Sequence, residues 1–383
     1  MKVLHVIPSL SLTEGGPTRA LAAIEQALGV QGISVETAST DDAGPGRHNG
    51  KPLAQPLPEN GAVHWYFAKR TDFYKWSPAF ARWIRKEIRG YDLLHIHAVF
   101  SFTSTTAAHA ARAAGVPYIV RPLGTLSDYG MTRRRPWLKA ASMRFIDGPL
   151  LRDAAAVHFT SDEEAMEARK LGLPLKEAVI PLSVVLPANA CAKTYANTLP
   201  AAPRLLFLSR LDAKKNLEGL LDALALLKHE MPQLRLVVAG AGTPDYVSAL
   251  KARAQSLGVE GLVDWAGHVE GEAKAAAFAD ADFFVLPSYS ENFGIAAAEA
   301  LAAGLPCVLG QGVAIAKDVV EAGAGMAVGT DAASIAQGLR RIIADHETLP
   351  ALSANALRLA RERYSIDAMG ASLKRLYEEI LQR

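Results

Sequence analysis

Two doubly wound α/β domains facing each other across a cleft are the fold class this sequence predicts. The chain has 383 residues, about twice a typical single domain. Strand-like and helix-like segments alternate through both halves, the pattern of parallel sheets with helices on both faces. The stretch Leu186 to Pro203, with three prolines and many small polar residues, interrupts that alternation. It separates an N-terminal domain over 1–187 from a C-terminal domain over 188–365. A last helix, 366–383, lies beyond the second domain and is read as returning to the first.

In the first domain, strands fit at 2–7, 34–39, 63–68, 93–97, 118–121, 156–159 and 178–181. Helices fit at 17–29, 78–89, 103–114, 136–152 and 162–171. Pro78 after Ser77 marks a first helical turn, and Ser161 with Glu164 forms a capping box. Asp41 to Gly61, rich in Gly and Pro, reads as a mobile surface loop. In the second domain, strands fit at 204–208, 234–239, 263–266, 282–286, 306–309 and 326–328. Helices there fit at 217–228, 245–256, 294–303, 332–345 and 351–362. Strand C-terminal ends are where such domains bind ligands.

Composition narrows the class. Half the residues are hydrophobic and 21% are charged, which suits a globular protein with large cores. A net charge of +2 offers no global field for nucleic acid, so no nucleic-acid partner is expected. Two distant cysteines, Cys191 and Cys307, argue against a disulfide framework and for a reducing compartment. The N-terminal apolar run stops at Pro8, too short for a signal peptide, and no run is long enough to cross a bilayer. The expected location is cytoplasmic.

The chemistry concentrates in residues 287–309. A strand ends at Pro287, a polar loop follows, and an Ala-rich helix opens near Gly294. Such a helix is usually buried, so its single carboxylate, Glu299, needs a partner. The amides of Phe293, Gly294 and Ile295 would be free donors at the helix's positive end. With Glu291 in the preceding loop, one junction offers amides for an anion and two carboxylates for hydroxyls. A sugar nucleotide carries that mixture of groups. Arg210 and Lys215 follow the strand at 204–208 and would add fixed positive charge for a diphosphate, with no metal needed.

Other features are weaker. Gly15-Gly16-Pro17 after the first strand lets backbone approach a ligand, or forms a plain strand-to-helix turn. Gly240-Ala241-Gly242 matches only part of a dinucleotide fingerprint. His95 and His97 share a strand face, but no third metal ligand stands at a recognisable spacing. Asp280-Ala281-Asp282 precedes its strand, and Asp280 is read as a helix end rather than a metal ligand. Arg133, Arg134, Arg135 and Lys139, with Arg144 and flanked by Tyr129 and Trp137, form the strongest basic cluster. It is either a solvated helix start or a surface for anionic lipid headgroups or a diphosphate-linked acceptor.

Together these residues resemble the retaining glycosyltransferases of family four, the "group 1" glycosyltransferases, whose architecture is two Rossmann-like domains (GT-B). Glu291-Asn292-Phe293-Gly294-Ile295 through Glu299 is similar to the family's E-x₇-E segment. Ser209-Arg210-Leu211 with Lys214-Lys215-Asn216 is its second element. Gly15-Gly16, His95-Ile96-His97 and Trp265-Ala266-Gly267-His268-Val269 add support. The resemblance implies a nucleotide-sugar donor, with Arg210 and Lys215 on the diphosphate and Asn292, Phe293, Gly294 and Ile295 beside it. Glu299 would take the ribose diol, Glu291 the donor sugar, and Gly15 and Gly16 would cover the phosphates. Gly240, His268 and Val269 would wall the base. It further implies a metal-independent, cofactor-free reaction. The acceptor would be a lipid-linked saccharide of surface-polysaccharide synthesis, taken at the cytoplasmic face of the inner membrane.

Two positions depart from the family pattern. Leu123 stands where many members carry a His near the donor sugar, and His97 is the substitute this reading offers. Pro181-Leu182-Ser183-Val184 replaces the usual Pro-Asn-Gly-Val. A nucleotide-sugar epimerase or phosphorylase on the same fold, or an inactive nucleotide-binding homologue, are the alternatives.

Overall fold

A computed structural model describes every residue except 12–15, 60, 133–134, 188–191, 194–201 and 383; the side chains of Tyr129 and His346 also lie outside the described set. Contacts divide the chain into one unit of Met1–Ser183 with Ile366–Arg383 and another of Val184–Ser365. The division falls four residues before the expected 187/188 boundary, because the Val184 amide donates to the Tyr364 carbonyl at 2.8 Å.

The first unit is built on an eight-stranded sheet. In chain order its strands are β1 Lys2–Val6, β2 Ser34–Thr40, β3 Leu57–Glu59, β4 Ala62–Phe67, β5 Leu93–His97, β6 Tyr118–Arg121, β7 Ala156–Phe159 and β8 Glu177–Val179. Their spatial order is β3-β4-β2-β1-β5-β6-β7-β8, parallel throughout except for β3 against β4. One face packs Phe80, Ile84, Ala107 and Ala111 from the helices Pro78–Glu87 and Phe102–Ala114. The other face packs helix Gly16–Val30 and the C-terminal helix Ile366–Leu381. Met369, Leu373, Tyr377 and Ile380 recur at helical spacing and are all buried there, which brings the chain's end back to this unit.

Parts of this unit differ from the sequence reading. The segment 41–61 holds β3, too short and proline-broken to read as a strand. Its start is anchored rather than loose. Lys69, only 6% exposed, pairs with Asp42 at 2.6 Å and with Asp72, and Lys75 also reaches Asp42. Burial pushes the Asp42 carboxyl up, but the hydrogen bonds from Lys69 and Lys75 outweigh it and hold the pKa at about 2. The expected helix 136–152 breaks at Ile146 into Pro136–Phe145 and Asp147–Asp153. At the break, Asp147 accepts from the Phe100 amide at 3.0 Å and from the Ser142 hydroxyl.

The second unit carries six parallel strands: β9 Arg204–Leu208, β10 Arg235–Ala239, β11 Val263–Gly267, β12 Phe283–Leu286, β13 Cys307–Gly310 and β14 Gly325–Val328. They are ordered β11-β10-β9-β12-β13-β14. Helix Gly271–Asp280, absent from the sequence reading, ends at Asp280 as that residue suggested. Its neighbour Asp282 accepts from the Arg204 amide at 2.8 Å.

Candidate functional site

The C-terminal ends of β10, β9 and β12 lie side by side, so the loops leaving them share one edge of the second sheet. After β12 the loop 288–291 is laid tightly on the turn after β13. The Glu291 amide donates to the Gly312 carbonyl at 2.8 Å, and the Ala314 amide donates to the Glu291 carbonyl at 3.2 Å. A Cβ on Gly312 would stand 2.1 Å from the Tyr289 carbonyl oxygen, so only glycine permits this approach. The Tyr289 amide in turn donates to the Lys214 carbonyl at 3.0 Å, tying the loop to the turn after β9.

That turn, Ala213–Lys215, starts on Asp212, whose carboxylate accepts from the Lys214 amide. It ends on Asn216 in the left-handed region, with φ of 57°. Asn216 is 1% exposed and works three ways. Its Oδ1 caps Gly219, and its Nδ2 donates to the carbonyls of Pro287 at 3.1 Å and Thr330 at 2.7 Å. Asn216→Ala is expected to destabilise the second unit by about 3 kcal/mol, roughly one for the cap and one for each lost hydrogen bond. A loss under about 1 kcal/mol in urea unfolding would refute this role.

This scaffold brings the expected charges together. Lys215 pairs with Glu291, and Ser288 donates to the same carboxylate at 3.2 Å. Both side chains are mostly buried, 13% and 16% exposed. Lys214 is the member that the residue-by-residue reading left without a role. Burial lowers its pKa; Glu291 opposes the shift, while Lys215 and Arg210 add to it. So Arg210, Lys214 and Lys215 form one cationic group around Glu291, with Arg210 exposed.

Gly294, at φ of 95°, turns the chain into the helix Ile295–Ala302. The amides of Phe293, Gly294 and Ile295 donate to no backbone carbonyl among the described residues. Phe293 is buried edge-on against Tyr364, with ring centroids 5.5 Å apart. Asn292 is exposed beside them. Glu299 is not buried as expected: its side chain is 24% exposed and pairs with Lys274 at 2.7 Å. Lys274 comes from the helix that the sequence reading missed.

Gly240 leaves β10 at φ of 153°, where a Cβ would stand 1.8 Å from the Ser209 carbonyl oxygen. It therefore serves first to pack the β10 loop against the chain leading to Arg210. Its amide donates to the Gly267 carbonyl at 2.6 Å. His268 is exposed and pairs with Glu270 at 3.1 Å, and Val269 is half-buried.

The remaining expected residues belong to the first unit. Gly16 opens the helix Gly16–Val30 and is exposed; Gly15 lies outside the described residues. Arg133, Arg134 and the Tyr129 side chain also lie outside them. Arg135 stacks 4.5 Å over Phe73, and Trp137 is exposed. Lys139 donates to the Gly130 carbonyl at 2.6 Å, so its ammonium is committed to the preceding helix.

His97 requires a correction. It is fully buried on the sheet face beneath the C-terminal helix, not placed as a substitute catalytic imidazole. Besides His64 of β4, four fully buried histidines line that face: His5 of β1, His95 and His97 of β5, and His158 of β7, beside Arg121 of β6. Parallel register brings His5 opposite His95, a third imidazole that spacing along one strand cannot reveal. Ligand atoms of His5, His95 and His97 lie within 4.8 Å of one another. The set nevertheless fits a metal poorly. His95 and His97 stack at 4.4 Å and 25°, so their in-plane lone pairs run side by side. His5 Nδ1 meets His97 Nε2 at 2.8 Å, and buried Arg121 adds positive charge.

Two family models match the chain. Residues 15–183 match the Glycosyl transferase 4-like domain and residues 197–358 match Glycosyl transferases group 1. The chain belongs to the group 1 glycosyltransferases. It is 34% identical over 215 residues to D-inositol 3-phosphate glycosyltransferase of Thermobispora bispora, covering 53% of this chain and 49% of that protein. The chain thus spans about half the length of that relative. It is 25% identical over 409 residues to GDP-mannose:cellobiosyl-diphosphopolyprenol alpha-mannosyltransferase of Komagataeibacter xylinus, covering 100% and 94%. Among solved structures, Anabaena HepE in complex with UDP matches with a TM-score of 0.76 at 19% identity, covering 99% and 100%. Sucrose-phosphate synthase from Thermosynechococcus elongatus matches with a TM-score of 0.75 at 19% identity, covering 100% and 99%. The fold of this group 1 chain is GT-B.

Proposed function

We propose that the chain moves a glycosyl group from a nucleotide-diphospho-sugar to a hydroxyl acceptor, with retention of anomeric configuration and without a metal ion. One observation carries this reading: Arg210, Lys214, Lys215 and the open amides at 293–295 share a sheet edge with two carboxylates, Glu291 and Glu299. The cations and amides match a diphosphate, and the carboxylates match sugar and ribose hydroxyls. As the sugar C1–O bond to phosphate breaks, negative charge gathers on the departing oxygen, where these donors are already in place. The acceptor hydroxyl attacks C1 from the same side, and its proton passes to the departing phosphate oxygen. No protein nucleophile is needed.

The acceptor proposed is a lipid-linked saccharide in surface-polysaccharide synthesis, taken at the cytoplasmic face of the inner membrane. The diphosphopolyprenol in the name of the Komagataeibacter relative supports this choice. Among the described residues no helix is long and apolar enough to cross a membrane. The test is transfer from a panel of nucleoside-diphospho-sugars in the presence of a chelator, with the product anomer read by NMR. An inverted product overturns the retaining reading, and activity lost to chelation overturns metal independence.

A further inference from the structure

We propose that the outer face of the helix Pro136–Phe145, together with Phe73 and Trp76, is a docking surface for an anionic phospholipid bilayer. The purpose of such docking rests on the lipid-linked acceptor proposed above. None of the helix's ten residues is buried. Trp137 is 70% exposed and Phe145 75%, and their eight-residue spacing sets both on the outer face. Ala140, Ala141 and Arg144 are exposed on the same face. Phe73 and Trp76, 61% and 48% exposed, extend the apolar surface. Arg135, stacked over Phe73, joins that loop to the start of the helix.

An exposed set of large aromatics marks an interaction surface. The charge around it selects the occupant. Arg135 and Arg144 supply positive charge at this face, and Asp72, next to Phe73, is paired with Lys69. Aromatic rings beside guanidinium groups suit the headgroup zone, where rings settle at the apolar boundary and arginines meet phosphate. A second copy of this chain would set like charges against each other, which disfavours self-association through this face. The helix has ten residues, too few to span a bilayer, and its exposed aromatics suit it to lying on one.

The experiment is flotation of the full chain with vesicles of phosphatidylcholine alone or with phosphatidylglycerol added. Binding to the anionic vesicles, weakened by salt, is expected. Each arginine contributes roughly fivefold at such a surface, so Arg135→Ala with Arg144→Ala lowers partitioning roughly 25-fold. Trp137→Ala with Phe145→Ala is expected to abolish flotation with an unchanged melting temperature, because both side chains are exposed. Absent flotation of the wild type, equal flotation of the variants, or a dimer that these substitutions dissolve each overturns the proposal. Failure here leaves transfer to a soluble acceptor untouched, so it is separable from failure of the transferase reading.

Discussion

Replacing Lys215 by Ala is expected to lower glycosyl transfer roughly 10²–10³-fold, and Arg210→Ala to fall in the same range. The expectation follows from the fixed placement of the charges. Lys215 ends a turn held by Asp212, Asn216 and the Tyr289 amide, so the backbone that carries its ammonium is fixed in place. That ammonium is paired with Glu291. A bound diphosphate would draw Lys215 away and release the carboxylate for sugar hydroxyls. Glu291→Gln therefore carries an asymmetric expectation: turnover falls sharply, while nucleoside diphosphate binds as tightly as in the wild type or more tightly. Steady-state kinetics and calorimetric titration with the nucleoside diphosphate read the two effects. Near-wild-type transfer by both Lys215→Ala and Arg210→Ala would remove the basis of the proposed mechanism.

Much of this site is legible in sequence because its parts sit on local signals. Each expected strand lies within two residues of its observed place, since short apolar runs between Gly, Pro and polar turns admit few other readings. The loop carrying Glu291 and the turn carrying Lys215 follow strands directly, so their side of the sheet is known once the sheet is parallel. What stayed hidden depends on neighbours far along the chain. Lys274 rides on a helix with no side-chain cap and a single buried residue, Phe278, so neither capping nor periodicity announces it. Asn216 reads as an ordinary turn residue until Pro287 and Thr330 are seen around it. The pairing of His5 with His97 exists only through strand adjacency, and it turns a presumed catalytic imidazole into part of the interior.

That interior imidazole layer predicts a steep acid transition of the first unit between pH 6.5 and 4.5. Its hydrogen bonds accommodate neutral forms: the Tyr377 hydroxyl lies 2.8 Å from His95 Nδ1, His95 Nε2 lies 3.4 Å from His158 Nδ1, and His158 Nε2 donates to the Ile180 carbonyl at 2.9 Å. Burial lowers all four pKa values, with Arg121 adding to each; His5 falls to about 4 and His158 to about 3, and His95 and His97 lie well below 6.5. The native state thus stays neutral where the unfolded chain binds protons, so stability is full above pH 6.5 and drains as pH falls. Each such histidine removes up to about 1.4 kcal/mol per pH unit below 6.5, so the four together remove up to about 5 kcal/mol per pH unit, a large share of a typical domain's stability. The salt-bridged carboxylates Glu36, Asp42 and Glu59, whose pKa values are lowered, lose their contribution only below about pH 4.5. His64 has the opposite sign. Burial lowers its pKa, but Glu25 and Glu59 raise it beyond that, so its stabilisation is fully present below pH 6.5 and leaves the slope in this window unchanged. Four of the five tryptophans lie in the first unit, so urea titrations followed by fluorescence report mainly on it. His158→Gln is expected to reduce proton uptake on unfolding at pH 5 by about one. Stability that is flat between pH 7 and 5 would mean the layer is hydrated and open to protons in the native state.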